Sequence, residues 1–382
     1  MQRNVVQGKP DNDLPQPLDL GRGPSPGIPR AELANLHKGS HKLRSRSLEE
    51  GNRMSLDPDN QKILDMMKAA GHPPVNELQP DEARKMYRAS RGALQPELPD
   101  VAELRDLSAP GTASDIPLRL YRGIGTRTEP LPVLVFYHGG GYVIGDLDTH
   151  DYVCRKIANV ARCCVIAVDY RLAPEHKFPA AVEDAAAALH WIVQEAQNLS
   201  IDPSCVAVGG DSAGGNLSAN MAHLSRDGEV PQLCFQMLLY PGTDMSMSQP
   251  SYQRDFTRFP LSIEAIEYFI GHYLRDRSDY TDPRAAPLLA TNFKQLAPAF
   301  VLTAGYDQLA DEGMAYARKL EDNGVPVTLV HMSDQMHGFL TMGRVIRASE
   351  FALEMAGMAL ARAFNSKQTA APTQKLKGLA FG

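Results

Sequence analysis

The chain has 382 residues, 43% hydrophobic and 22% charged, which supplies a large core and is unlike a disordered or collagen-like composition. Lys and Arg number 39 against 45 Asp and Glu, for a formal net charge of −6, so a broadly cationic surface for nucleic acid or anionic lipid is not expected. The start, MQRNVVQGKPDNDLPQP, lacks the apolar core of a secretory signal, and no apolar run approaches the ~20 residues that cross a bilayer. A soluble, cytoplasmic protein with one large domain and no membrane insertion is the expectation.

Residues 1 to about 30 are rich in Pro and Gly, and His37 to Ser47 is basic, so the N-terminal stretch reads as a flexible extension. The His37/His41 spacing is no metal signal, because Gly39 and the polar surroundings oppose a helix there. Helical signals begin at Asp57-Pro58, a cap followed by Pro at the first helical position, with Ile63, Leu64 and Met67 on one face and Gly71 as the stop. A second helix opens at Pro80 and puts Ala83, Met86 and Tyr87 on one face before Gly92. Both are short enough to need a larger body to lie on.

From Ile116 the texture becomes β-rich: IPLRLY, VLVFY, CCVIAV, CVAVGG, LCFQMLLY, AFVLTAG and PVTLVHM. Several are apolar throughout, as strands covered on both faces must be. Helix candidates at 179–197, 212–226, 309–323 and 344–365 lie between them, which predicts an α/β fold with a mostly parallel sheet flanked by helices. A stretch from about Asp244 to Leu289 interrupts the alternation with its own helix, capped by Ser262 and carrying Ile263, Ile266, Phe269, Ile270 and Tyr273 at helical spacing. The five cysteines form no C-x-x-C pair and sit in apolar stretches, so buried free thiols are expected.

The strongest chemical signal is VAVGGDSAGGNLSAN, an apolar strand running into Gly210-Asp211-Ser212-Ala213-Gly214 and then a small-residue helix. A serine hydroxyl needs exposure and a neighbouring base to act as a nucleophile, and the G-x-S-x-G turn between strand and helix supplies the exposure. The second signal is VLVFYHGGGY, a strand ending in His138 and Gly139, Gly140 and Gly141. Such a loop lets backbone N–H groups approach a developing oxyanion, with the Ala213 N–H as another donor. A phosphate loop is disfavoured, because no G-K-[ST] follows.

Ser212 needs a base and an orienting acid, expected in the order serine, acid, histidine. Asp307 stands just past AFVLTAGY, and His337 stands in the loop after PVTLVHM. Asp311 and Asp334 compete as the acid, but Asp311 suits a helix cap better. His331 lies within a strand pattern and reads as structural. Asp169, Arg171 and Glu175 read as a structural ion-pair group near the site. His138, His150 and His176 lack metal-ligand spacing, so no metal and no cofactor is expected.

HGGGY, DYRLAPEHKFPAAVEDA, GDSAGGN, GYDQLADEG and HGF at 337–339 together resemble the hormone-sensitive-lipase group of α/β-hydrolase esterases, over about Leu56 to Ala361. The resemblance implies Ser212 as nucleophile, Asp307 as acid, His337 as base, and an oxyanion hole from Gly139, Gly140, Gly141 and Ala213. It also implies a helical cap. The expected organisation is an extension over 1–55, cap helices over 56–100, hydrolase core over 101–243 and 290–365, a cap insertion over 244–289 and a tail over 366–382. Gln308 stands where the family usually has proline, and Asp334 where glycine is common.

The implied function is hydrolysis of small-molecule esters with short to medium acyl chains. Tyr142, Asp211, Tyr252 and Phe256 are candidate substrate contacts, although cap aromatics such as Phe259 and Phe269 serve a cap core equally well. Amide or thioester hydrolysis is the nearer alternative. A ligand receptor on this fold is disfavoured because His337 is present. Family members are often homodimers, and no interface is singled out by these residues.

Overall fold

The computed structural model describes residues 55–126 and 129–370. The expected N-terminal extension, with His37 and His41, and most of the expected tail therefore lie outside the described residues. Two short helices come first, α1 (Pro58–Ala70) and α2 (Pro80–Leu94). Asp57 caps α1 by accepting the Asp59 N–H at 2.7 Å, and Gly71 ends it in the left-handed region at φ 64°.

Eight strands form one sheet among the described residues: β1 (Glu103–Ala109), β2 (Ile116–Arg122), β3 (Leu131–Tyr137), β4 (Cys164–Val168), β5 (Ile201–Asp211), β6 (Phe235–Leu239), β7 (Ala299–Tyr306) and β8 (Val327–Met336). Their order is β1-β2-β4-β3-β5-β6-β7-β8, with β2 antiparallel to both neighbours and all later pairs parallel. The helices are α3 (Asp151–Ala161), α4 (Ala180–Gln194), α5 (Ala213–Arg226), α6 (Ile263–Tyr273), α7 (Ala310–Asp322) and α8 (Ala348–Ala370). This is the α/β-hydrolase arrangement.

The strands are apolar because both faces are covered. Along β3, Val133, Val135 and Tyr137 join the core beneath α4 and α5, while Leu134 and Phe136 join the core beneath α3 and α8. Each such side chain stabilises the fold by ~1.5–3 kcal/mol relative to exposure. Of the five cysteines, Cys154, Cys163, Cys164 and Cys205 are buried and Cys234 is half-buried.

Two elements escaped the sequence reading. Strand β1, ELRDLSA, is largely solvent-facing and is held by a complete antiparallel ladder to β2 rather than by its own apolar pattern. Helix α3 buries Val153, Cys154, Ile157 and Ala158 at helical spacing, but it runs directly into CCVIAV, which blurs the change of period. Helix α8 begins at Ala348 rather than 344, because the chain before it is taken up by a 3₁₀ turn at Phe339–Thr341 and by bonds to the Met342 carbonyl.

The ion-pair group also differs from expectation. Arg171 reaches forward to Asp184 and Glu183 at 2.7 and 3.3 Å. Glu175 instead pairs with Arg84 of α2 at 2.6 Å, tying that helix to the loop after β4. Asp169 sits 3.7 Å from His138.

Candidate active site

Parallel strands deliver their C-terminal ends to one edge, and that edge is where an α/β sheet gathers chemistry. Here His138 and the glycine run follow β3, Ser212 follows β5, Asp307 follows β7 and His337 follows β8. Ser212 occupies the strained turn between β5 and α5 with φ 55° and ψ −116°, held by its N–H donating to the Leu239 carbonyl at 2.9 Å.

His337 lies between the other two groups. Its Nε2 is 2.9 Å from Ser212 Oγ, and its Nδ1 is 2.7 Å from Asp307 Oδ2. Asp307 is completely buried, and its second oxygen accepts the Leu309 N–H at 2.9 Å. The competing acids are placed elsewhere. Asp311 lies in the first turn of α7 with Arg254 at 4.0 Å, and Asp334 accepts from Gln335 Nε2 at 3.1 Å. His331 is likewise used locally, with Nδ1 2.9 Å from Thr303 Oγ1. The Tyr240 ring tilts against His337 at a 4.7 Å centroid distance and helps fix the imidazole plane.

The glycine loop divides its labour. Gly139 was expected as an oxyanion donor, but its N–H donates to Asp211 Oδ1 at 2.8 Å and is not free for a substrate oxygen. Among the described residues, the N–H groups of Gly140, Gly141 and Ala213 meet no protein acceptor. Gly140 and Gly141 adopt φ 126° and 59°. A Cβ at Gly141 would lie 2.3 Å from Phe269 Cγ, so only glycine lets the loop run this close to α6.

Asp211, the expected substrate contact, lines the cavity beside Ser212, and its carboxylate is also engaged by the protein. It is buried, with one oxygen on Gly139 and 3.1 Å from His150 Nε2. Burial pushes its carboxyl up, but His150, the Gly139 N–H and His138 outweigh that and hold it below the usual range.

A cavity of about 730 Å³ opens onto these groups, walled by α1, α2, the glycine loop and the 244–289 segment. Tyr142 and Tyr252 line it. Tyr142 stacks on Tyr273 at 3.6 Å, and Tyr252 OH donates to Glu312 Oε2 at 2.9 Å. Phe256 does not line it. Its ring packs edge-on against Phe259 at 5.4 Å and tilts against Tyr306 at the end of β7, so it belongs to the core on the α3 and α8 side of the sheet, while Phe259 and Phe269 reach the cavity.

Sequence reasoning missed three buried polar residues. Asn60 of α1 donates to Gln335 Oε1 at 2.6 Å and accepts the Met336 N–H at 3.1 Å, bracing the strand end just before His337. Glu312 takes the N–H groups of Thr243 and Asp244 at 2.6 and 3.1 Å, and burial pushes its carboxyl up to about 8. His150 backs Asp211. Only Glu312 carried a signal, as part of the quoted GYDQLADEG block; nothing local marks the other two. Among the described residues, no group of three or more His, Cys, Asp or Glu side chains is gathered as metal ligands, and no helix is long and apolar enough to cross a membrane.

Residues 134–341 match the family described as alpha/beta hydrolase fold. The chain is 44% identical over 299 residues to the carboxylic ester hydrolase LipN of Mycobacterium tuberculosis, covering 75% of this chain and 78% of that one. It is 39% identical over 320 residues to an ethyl acetate hydrolase of Pseudomonas putida, covering 80% and 99%. Among solved structures, the ester-hydrolase EH1AB1 from the metagenome of Lake Arreo superposes with a TM-score of 0.79 at 41% identity, covering 81% of this chain and 99% of that one. The fold, the site at the strand ends and these likenesses place the chain in the hormone-sensitive-lipase-like carboxylesterases of the α/β-hydrolase fold, and it is a carboxylic-ester hydrolase.

Proposed function

We propose that ester hydrolysis here runs through a Ser212–His337–Asp307 triad and an acyl-enzyme, on esters with short to medium acyl chains. The observation that carries this reading is the continuous chain of contacts from Asp307 to His337 at 2.7 Å and from His337 to Ser212 at 2.9 Å. Ser212 Oγ attacks the ester carbonyl carbon while His337 Nε2 takes its proton. The carbonyl oxygen becomes an oxyanion facing the Gly140, Gly141 and Ala213 N–H groups, each worth on the order of 10²–10³ in rate. Collapse breaks the ester C–O bond, and His337 returns the proton to the leaving alcohol. Water, deprotonated by the same imidazole, attacks the acyl-enzyme carbonyl; the bond from Ser212 Oγ to the acyl carbon breaks, His337 returns the proton to Ser212 Oγ, and the acid leaves. Asp307 holds the Nδ1–H tautomer and stabilises the imidazolium.

Segments 56–100 and 244–289 act as a cap that sets substrate size. Support comes from their shared walling of the cavity of about 730 Å³, and from a relative named for ethyl acetate, a short ester. The test is kcat/KM for p-nitrophenyl acetate, butyrate, octanoate and palmitate. Values highest among the first three and at least ~10-fold lower for palmitate are expected; a profile rising to palmitate overturns the size reading.

A further inference from the structure

One wall of the cavity carries a charge that the hydrolytic chemistry does not use. Arg91, on α2, lines the same cavity as Ser212 and His337 and is only 8% exposed. Its guanidinium lies over the Tyr87 ring, with Cζ 4.6 Å from the centroid, which covers one face and leaves the edges. Along those edges, Nε and Nη1 are buried without a hydrogen-bond partner, and no carboxylate of the described residues stands within salt-bridge distance of Arg91. The carboxylates that share the cavity are engaged elsewhere: Asp65 with Gln61, Asp211 with Gly139 and His150, Asp244 with Ser246, and Glu312 with Thr243 and Tyr252.

A buried guanidinium with unsatisfied donors is costly, and its planar fork matches a carboxylate. Because Arg91, Ser212 and His337 line one cavity, the charge faces the same space as the reacting groups. Resting on the esterase reading above, we propose that Arg91 forms an anion subsite, and that the preferred substrates are esters carrying a free carboxylate that Nε and Nη1 bind.

The test uses two isosteric pairs at neutral pH. Monoethyl succinate against ethyl levulinate places the carboxylate or its neutral ketone mimic on the acyl side; 3-acetoxypropanoate against 4-acetoxybutan-2-one places it on the alcohol side. Wild type is expected to favour the carboxylate member of one pair by ~10-fold or more in kcat/KM. Arg91→Met is expected to abolish that preference while holding the neutral member within ~3-fold, and Arg91→Lys to keep part of it. If Arg91→Met fails to fold, the wild-type ratios and Arg91→Lys still decide. Ser212-dependent turnover without a carboxylate preference in either pair overturns the anion subsite and leaves the esterase reading standing. Failure to hydrolyse any of the four esters, together with p-nitrophenyl butyrate, overturns both.

Discussion

Asp211 accepts the N–H of Gly139 at 2.8 Å, so the residue before the candidate nucleophile is bonded directly to the loop that frames the oxyanion. The distance from Ser212 to the free Gly140 and Gly141 N–H groups is thereby set by a buried carboxylate as well as by the pairing of β3 with β5. His150, 3.1 Å away, completes the link.

Replacing that carboxylate tests the link. Asp211→Leu leaves the Gly139 N–H without its acceptor and His150 without its neighbouring carboxylate, and is expected to lower kcat by ~10²-fold and stability by ~1–3 kcal/mol. Asp211→Asn keeps an oxygen for Gly139 and is expected to recover part of both. Steady-state kinetics and urea unfolding check this; indistinguishable behaviour of the two variants would remove the positioning role.

Gly141 gives a steric prediction. A methyl group there meets the Phe269 ring at 2.3 Å on a backbone with φ 59°. Gly141→Ala is expected to displace the loop and reduce kcat by ~10²-fold or more, with the far-UV circular dichroism unchanged. A variant with wild-type kcat would mean that the loop does not hold the oxyanion.

Glu312 gives a pH prediction. Its folded carboxyl is pushed up to about 8 from the usual 4.5 by burial. Between those values the folded protein holds a proton that the unfolded chain has released, so this group makes stability fall as pH rises from about 4.5 to about 8. Glu312→Gln has no proton to lose. Its stability relative to wild type is therefore expected to rise across that window by up to ~1.4 kcal/mol per pH unit. Thermal unfolding of both proteins from pH 5 to 8 measures the difference; a constant difference would contradict the assignment.

Much of the site was legible because its chemistry uses local patterns. The strand-turn-helix around Ser212, the glycine run after β3 and the post-strand positions of Asp307 and His337 all show in short windows. What was not legible depends on contacts far apart in sequence. Asn60 reaches Gln335 across 275 residues, and Asp211 reaches Gly139 across 72. The same limit explains Phe256, which periodicity could not tell from Phe259: both pack against Tyr306, far away in sequence, and only Phe259 lines the cavity. Strand β1 was lost for the related reason that edge strands take their order from a neighbour rather than from an apolar pattern.

The most direct test of the mechanism is hydrolysis of p-nitrophenyl butyrate by wild type and Ser212→Ala, each verified as folded. Turnover by wild type that falls by at least ~10³-fold in Ser212→Ala is the predicted result. Turnover that survives the substitution would contradict Ser212 as the nucleophile.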